Sequence, residues 1–165
     1  MEKRLQSVYT IRFSDCDLFG HLNNARYIDY FLNAREDHLK TYYNMSLDEF
    51  YRQGLTWFVG SHEILYLRPA QYNERVVIHS CLFHVTNDML WVEMKMTDEK
   101  NSHLKSLLWT KFVPVNPATG RKQNHPDSFM EFARKVMVDD VDWQAGIKSR
   151  LAVWQNTVYS RTISV

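Results

Sequence analysis

The sequence predicts an α+β domain in which a curved antiparallel sheet wraps around one long helix. A pattern of helical period follows a short strand pattern, and four longer runs of strand period follow the helix. Strands that follow one another with only turns between them favour antiparallel pairing. With 165 residues, 45% of them hydrophobic, the chain is long enough for one domain with a sizeable core.

The first strand and the long helix lie on either side of a polar turn. Apolar side chains that alternate with polar ones predict the strand, and they are Leu5, Tyr9, Ile11 and Phe13. Side chains at helical spacing predict the helix, and they are Tyr27, Tyr30, Phe31, Ala34 and His38. A second stripe of Ile28, Leu32 and Leu39 widens the apolar surface, so we expect most of this helix to be buried.

The later elements are bounded by residues typical of turns and caps. Ser46 offers a cap for a short second helix that ends near Gly54. Strands are expected over 55–67, with a bulge at Gly60, and over 75–86, 90–96 and 104–115. A last helical pattern follows Pro126 and consists of Phe129, Met130, Ala133, Val136 and Met137. Side chains interpreted as core and pocket wall are Met89, Met94, Met96, Trp91 and Trp109.

Composition and charge exclude several classes of partner. Lys and Arg number 20 against 19 Asp and Glu, so a net charge of +1 gives no bulk attraction for nucleic acid or for an anionic membrane. The first seven residues lack the apolar core of a signal peptide and no apolar run is long enough to span a bilayer, so a cytoplasmic location is the default expectation.

Cysteine and histidine usage predicts neither a disulfide framework nor a metal site. Cys16 and Cys81 lack zinc-ligand spacing and are expected to be reduced thiols. His79 and His84 lie an odd number of residues apart on one predicted strand, which places them on opposite faces. We therefore expect no metal and no cofactor.

The polar turn between the first strand and the helix carries the candidate chemistry. Asn23 and Asn24 are natural helix caps, which leaves amides near Gly20 and His21 free to face outward. Such donors at a helix start polarise a carbonyl oxygen as it becomes an oxyanion. Asp17 lies a few residues before them. A carboxylate that attacks, or that activates water, beside donors for the oxygen is what hydrolysis of an acyl compound requires.

The same stretch resembles a known family. The order of strand, D-x-D-x-x-G-H-x-N-N-x-x-Y and long buried helix is similar to the hotdog-fold acyl thioesterases, particularly the 4-hydroxybenzoyl-CoA thioesterase type. The run Ile64–Ala70 is similar to the family's second strand and the proline turn that follows it. The likeness covers roughly residues 5 to 125 by motif placement and element order.

The resemblance implies roles for particular residues. Asp17 matches the family's catalytic aspartate, and Gly20 and His21 match the backbone that binds the thioester oxygen. His21 is carried as a second catalytic candidate, and Asn23, Asn24 and Tyr27 join Gly20 as substrate-binding candidates. Part of the stretch also resembles plant acyl-ACP thioesterases, but Phe19 stands where those have a catalytic asparagine.

The resemblance also implies the substrate and the assembly. It implies an acyl-CoA substrate, or an acyl-ACP one, and a homodimer or homotetramer with active sites at the subunit interface. Residues 1–140 would form the hotdog thioesterase domain, and residues 141–165 match no family element. This C-terminal extension is expected to cover a sheet face or to extend the subunit contact. Arg68, Lys111 and Arg121 are weak candidates for contacts to CoA phosphates.

Several alternatives stay open at this point. Asp17 can instead close an Asx-turn, Asp15 is interpreted as structural, and Glu63 as an exposed strand charge. The carboxylate of Asp17 can act as nucleophile or as base toward water. A dehydratase or hydratase would need an acid–histidine pair on the helix, for which His38 with Asp37 or Glu36 is the best that the chain offers. A non-catalytic acyl-CoA binding module is the third reading.

Overall fold

The protein is described here by a computed structural model that covers residues 1–162, with side chains up to residue 155. Within this range, five strands form one antiparallel sheet in the order β1-β3-β4-β5-β2. The strands are β1 (Leu5–Thr10), β2 (Thr56–Tyr66), β3 (Arg75–Thr86), β4 (Met89–Asp98) and β5 (Leu104–Val115). The helices are α1 (Tyr27–Tyr43), α2 (Leu47–Arg52), α3 (Asp127–Val136) and α4 (Ser149–Thr162).

Helix α1 packs across one face of the sheet and forms the main core. Its fully buried side chains, Tyr27, Phe31, Ala34 and His38, recur at a spacing of four, three and four residues, which is one helical stripe. They meet inward-facing side chains of the strands, among them Ile78, Leu82, Val92, Met94 and Leu108. The other side of α1 is exposed at Asp29, Asn33 and Asp37, so the helix is buried on one face and not around most of its surface as predicted.

The predicted strands β2 to β5 are confirmed, whereas β1 is shorter than its sequence pattern. β1 ends at Thr10, and a 3-10 turn over Phe13–Asp15 follows. Ile11 is still fully buried, but Phe13 is 78% exposed. The turn into the helix therefore begins two residues before the alternation of apolar side chains ends.

Register shifts between paired strands change which face of the sheet a side chain occupies. The predicted bulge at Gly60 is confirmed by a register shift between Val59 and Ser61. A second shift, between Leu82 and His84, was not predicted. Because of it, His84 pairs with Trp91 and His79 pairs with Lys95, so both histidines lie on the same face of the sheet. The prediction of opposite faces was wrong, although five strand residues still hold the two side chains about 15 Å apart.

The C-terminal segment covers the outer face of the sheet. Val138, Val141 and Ile147 pack against outward-facing side chains that include Phe83 and Trp109. Residues 163–165 of the predicted extension lie outside the described residues.

A buried ion pair fixes this segment to the sheet. Arg150 binds Glu93 through Nε to Oε2 at 2.7 Å and Nη2 to Oε1 at 3.1 Å. Trp109 Nε1 also donates to Glu93 Oε2, at 2.9 Å. A buried charge needs such partners, because burial removes it from water.

A hydrogen-bond network centred on His38 ties α1 to β1 and β3. Its ring nitrogens lie 2.7 Å from Ser7 Oγ and 2.8 Å from Ser80 Oγ. Ser7 Oγ donates to Tyr9 Oη, so it accepts from His38 Nε2–H. Ser80 Oγ accepts from Arg35 Nη1 and therefore donates to His38 Nδ1. This arrangement requires a neutral imidazole with its proton on Nε2.

The neutral histidine makes stability depend on pH. Burial, reinforced by the nearby Arg35 charge, lowers the pKa of His38 from 6.5 to about 4. The unfolded chain binds a proton below about pH 6.5 that the folded chain takes up only near pH 4, so stability is lost as pH falls through that window. We expect His38→Gln to remove a share of this loss, at most about 3 kcal/mol. Chemical denaturation at pH 7, 5.5 and 4 measures it.

His79, whose pKa burial also lowers to about 4, would keep part of the slope in the His38 variant. An identical slope for native protein and His38→Gln would contradict the neutral, buried assignment.

Candidate active site

The turn that carries Asp17 is closed by its own hydrogen bonds. The Asp17 amide donates to the carbonyl of His21 at 2.8 Å, and the Gly20 amide donates to the carbonyl of Asp17 at 3.0 Å. Gly20 has φ +73°, a conformation that glycine adopts without a Cβ clash. Asp17 Oδ1 accepts from the amides of Phe19 at 2.9 Å and His21 at 3.2 Å. The carboxylate is thereby oriented by the turn that it closes.

Backbone hydrogen bonds to the segment before β3 hold this turn in place. The Leu22 amide donates to the Ala70 carbonyl at 2.7 Å, and the Tyr72 amide donates to the Gly20 carbonyl at 2.8 Å. The Asn73 amide donates to the Ile11 carbonyl at 2.9 Å. Asp17 consequently lies at a fixed position relative to the sheet.

The free backbone amide at the helix start differs from the ones that the sequence predicts. The amides of Gly20 and His21 are used within the turn, so they do not face outward, because the turn is tighter than its residue types reveal. Asn24 begins the 3-10 turn that leads into α1, and the first amide of such a turn has no partner within it. Among the described residues, no partner is found for this Asn24 amide elsewhere. The carbonyl of Asn24 accepts from Tyr66 Oη at 2.9 Å.

The two asparagines divide the roles predicted for them. Asn23 is the cap, because its Oδ1 accepts from the Ala25 amide at 3.0 Å. Asn24 is exposed and does not cap the helix. Asp15 is structural as predicted, since Oδ2 accepts from Tyr30 Oη at 2.8 Å.

Tyr27 and His21 serve the fold more directly than predicted. Tyr27 is buried, its Oη accepts from the Ala70 amide at 3.0 Å, and its ring packs edge-on against Tyr66. Tyr27 thus supports the site from behind, and its role in substrate binding stays a prediction. His21 orients Asp17 through its backbone amide, while its half-buried imidazole makes no hydrogen bond to Asp17.

The surface around Asp17 is apolar and open. Leu18 is 104% exposed and Phe19 is 84% exposed. Asp17 itself is exposed, and Oδ2 has no hydrogen-bond partner within the part of the chain that the structure describes. One carboxylate oxygen therefore orients the group while the other is available to react.

An apolar cavity lies further along α1. Its volume is about 300 Å³. It lies between α1, α2, α3 and the sheet, with Leu32, Leu39, Trp57, Phe112 and Phe129 in its wall. No residue of the Asp17 turn lines it. The wall also differs from the predicted one, because Met94 and Met96 are core beneath α1, and Trp91 and Trp109 lie on the outer face.

The other candidate sites are not supported by their surroundings. His38 is 1% exposed with both ring nitrogens bonded to serines, so the predicted pairing with Asp37 or Glu36 is absent. Over residues 1–162, no cluster of three His, Cys, Asp or Glu side chains is arranged to hold a metal ion. Within the same range, no helix has both the length and the apolar character needed to cross a bilayer.

The fold matches solved structures of low sequence identity. DHNA-CoA thioesterase from Staphylococcus aureus is similar with a TM-score of 0.74 and 18% identity, over 81% of this chain and 90% of that one. The probable thioesterase YbaW from Escherichia coli is similar with a TM-score of 0.70 and 22% identity, over 80% and 98%. A hypothetical Staphylococcus aureus protein in complex with CoA is similar with a TM-score of 0.73 and 19% identity, over 88% and 94%.

These likenesses and the sheet wrapped around α1 define a hotdog fold, as predicted. The sequence model of the thioesterase-like superfamily matches residues 11–145, and the chain belongs to that superfamily. No curated protein matches the sequence.

The turn predicts how substitutions at Asp17 affect folding. Asp17→Ala removes the acceptor of two backbone amides and should lower the free energy of unfolding by about 1 to 2 kcal/mol. Asp17→Asn keeps an oxygen at that position and should lower it by less than half as much. Urea denaturation of the two variants measures the difference. Equal losses would show that the Oδ1 contacts do not stabilise the turn.

Proposed function

We propose that the protein is an acyl-CoA thioesterase that hydrolyses a thioester to a free acid and CoA. The observation that carries this proposal is the Asp17 carboxylate, which has one oxygen bound by two amides and the other open. The free amide of Asn24, at the beginning of α1, lies close along the chain. Membership of the thioesterase-like superfamily supports the same reaction.

The proposed chemistry uses groups of this turn and of the start of α1. The thioester oxygen docks at the Asn24 amide and the positive end of α1, which stabilise the oxyanion. Asp17 Oδ2 attacks the carbonyl carbon, the thiolate of CoA leaves, and water then hydrolyses the anhydride. In the second route, Asp17 takes a proton from water, which attacks in its place. Both routes give one acid and one thiol for each water consumed.

The acyl group is proposed to extend along α1 toward the apolar cavity. Arg35 in its wall lies eight residues after Tyr27, which is about 12 Å along the helix axis. An acyl group that extends along α1 from a thioester carbonyl at the helix start would reach the cavity at about this distance. This distance favours an acyl group of some length. Within the superfamily, we propose that the protein is of the 4-hydroxybenzoyl-CoA thioesterase type.

A homodimer or homotetramer is part of the proposal. β2 is an edge strand of eleven residues whose exposed side chains include Phe58 and Val59, at 56% and 42%. Long apolar edge strands are normally covered, and pairing with a second copy would cover this one. The exposed Leu18 and Phe19 beside Asp17 support an active site that a partner subunit completes.

CoA recognition is the reason to expect a cationic contact near the turn. A similar structure contains CoA, and another is named a CoA thioesterase. Of the predicted cations, Arg68 is the one near the site. It lies two residues after Tyr66, the last residue of β2, whose hydroxyl donates to the Asn24 carbonyl. Arg121 lies beyond the opposite end of the sheet, about 30 Å away along the strands.

This difference gives a matched pair of variants. Arg68→Ala should raise KM for an acyl-CoA about threefold to tenfold while kcat changes little, because the lost contact binds the phosphates rather than the reacting carbonyl. Arg121→Ala should leave both parameters unchanged. Steady-state kinetics on the same substrate compare them. Equal effects of the two variants would remove Arg68 from the proposed binding site.

Release of free thiol from a panel of acyl-CoAs tests the proposed function. The panel holds short, medium and long aliphatic chains and aromatic groups, because the cavity admits more than one shape. Turnover of at least one member well above the uncatalysed rate is expected. Binding of acyl-CoA without turnover would instead establish the binding-module reading, in which Asp17 only closes its turn.

A further inference from the structure

Arg35 is a partly buried cation between α1 and β3, without an anion beside it. Its Nη1 donates to Ser80 Oγ at 3.1 Å. Among the described residues, no carboxylate lies within ion-pair distance of its guanidinium, although Arg150 on the other face is paired with Glu93. Burial lowers the pKa of Arg35. Tyr43 and Cys81 lie near its guanidinium and would balance its charge if they were ionised. Burial raises the pKa of both groups, that of Cys81 to about 11, so both are neutral.

The guanidinium retains unused donors. It has five N–H groups in a planar fork, and the bond to Ser80 is the only one they form with the residues that the structure describes. Among the described residues, every fully buried side-chain nitrogen or oxygen has a hydrogen-bond partner. The remaining nitrogens of Arg35 are therefore not sealed from space that water can enter. Arg35 is one of the residues that line the apolar cavity.

The rest of the cavity offers little to balance this charge. Its wall is mainly aromatic and aliphatic, with Trp57, Phe112, Phe129 and Phe132 around it. Glu36 also lines it, but this side chain is exposed and forms no ion pair with Arg35. An apolar cavity with one cation has the chemistry to bind an apolar body that carries an anion. A carboxylate matches a guanidinium best, because both groups are planar and two parallel hydrogen bonds form.

We propose that this cavity binds an aliphatic or aromatic carboxylate, with its apolar body against the aromatic wall and its carboxylate on the guanidinium of Arg35. The volume of about 300 Å³ is at the lower end of ligand pockets, which suits a medium-length chain. The carboxylate can belong to a free acid, or to the far end of an acyl group attached to CoA. The second source rests on the proposed function, whereas binding of the free acid does not.

Calorimetric titration with decanoate and with 1-decanol tests the proposal on the native protein. The two probes share an apolar chain and differ in the charged group. Decanoate should bind at least about tenfold more tightly than decanol, because only it pairs with the guanidinium. Decanol binding as tight as that of decanoate, or no binding of decanoate, would overturn the proposal.

Substitutions locate the effect. Arg35→Met keeps an unbranched stem in place of that of arginine without the charge, and it should abolish the preference for decanoate while leaving decanol binding unchanged. The same change at Arg134, an exposed residue of α3, should alter neither affinity. Leu47→Trp, which fills the cavity from an exposed position, should weaken both probes. An unchanged decanoate preference in Arg35→Met would contradict the assignment.

Folding of the Arg35 variant can be checked independently. Loss of a desolvated cation without a counter-ion should leave the unfolding temperature unchanged or raise it. If Arg35→Met does not fold, Arg35→Lys is compared with native protein instead. Lysine retains the charge but not the planar fork, so this variant should bind decanoate more weakly than native protein does, with decanol binding unchanged. Equal decanoate affinities in that comparison would count against the proposal.

A kinetic arm separates the two sources of the carboxylate. Decanoyl-CoA is compared with the CoA thioester of decanedioic acid, which carries a second carboxylate at its far end. A lower KM for the second substrate in native protein, but not in Arg35→Met, assigns the site to the acyl group. Competition by decanoate alone assigns it to free acids. Absence of turnover with these two thioesters and with the whole acyl-CoA panel would contradict the proposed function and leave the calorimetric result intact.

Discussion

The fixed position of the turn before α1 is the constraint on which the rest of the structure depends. Hydrogen bonds from Leu22 and Tyr72 join this turn to the segment before β3, so the start of the helix is fixed relative to the beginning of that strand. Asp17 then has no freedom to turn away, because two amides hold Oδ1. The same closure uses up the amides of Gly20 and His21, which leaves the amide of Asn24 as the donor at the helix start.

The arginines on the two faces of the sheet differ in their binding partners. On the outer face, Glu93 is satisfied by Arg150 and Trp109, and this arrangement holds the C-terminal segment against the sheet. On the inner face, Arg35 donates to a serine, and no carboxylate of the described residues pairs with it. An unpaired cation that is removed from water does not stabilise a protein. The contrast between the two arginines therefore suggests that Arg35 is there to bind a ligand. The apolar cavity beside Arg35 supplies the place for such binding.

Much of the fold was predictable because apolar side chains recur at every second residue of β4, and because β3 is rich in valine and isoleucine. The two ends of β3 and of β5 coincide with the predicted ranges, since turn residues bound both strands. The bulge before His84 was not predictable, because no glycine or proline marks it. In the site, Asp17 and the cap at Asn23 follow from residue types. Which amides stay free depends on how tightly the turn closes, and the burial of Tyr27 depends on long-range contacts with Ala70 and Tyr66.

The central claim is that the open oxygen of Asp17 reacts with an acyl thioester. The most direct measurement is the single-turnover rate of Asp17→Asn against native protein on the acyl-CoA that native protein hydrolyses fastest, with matched unfolding curves. Asparagine preserves the oxygen that orients the turn but can neither attack nor accept a proton as a carboxylate does. A loss of at least about a hundredfold in rate, with stability nearly retained, is the predicted result. A variant that folds and keeps the native rate would contradict the claim.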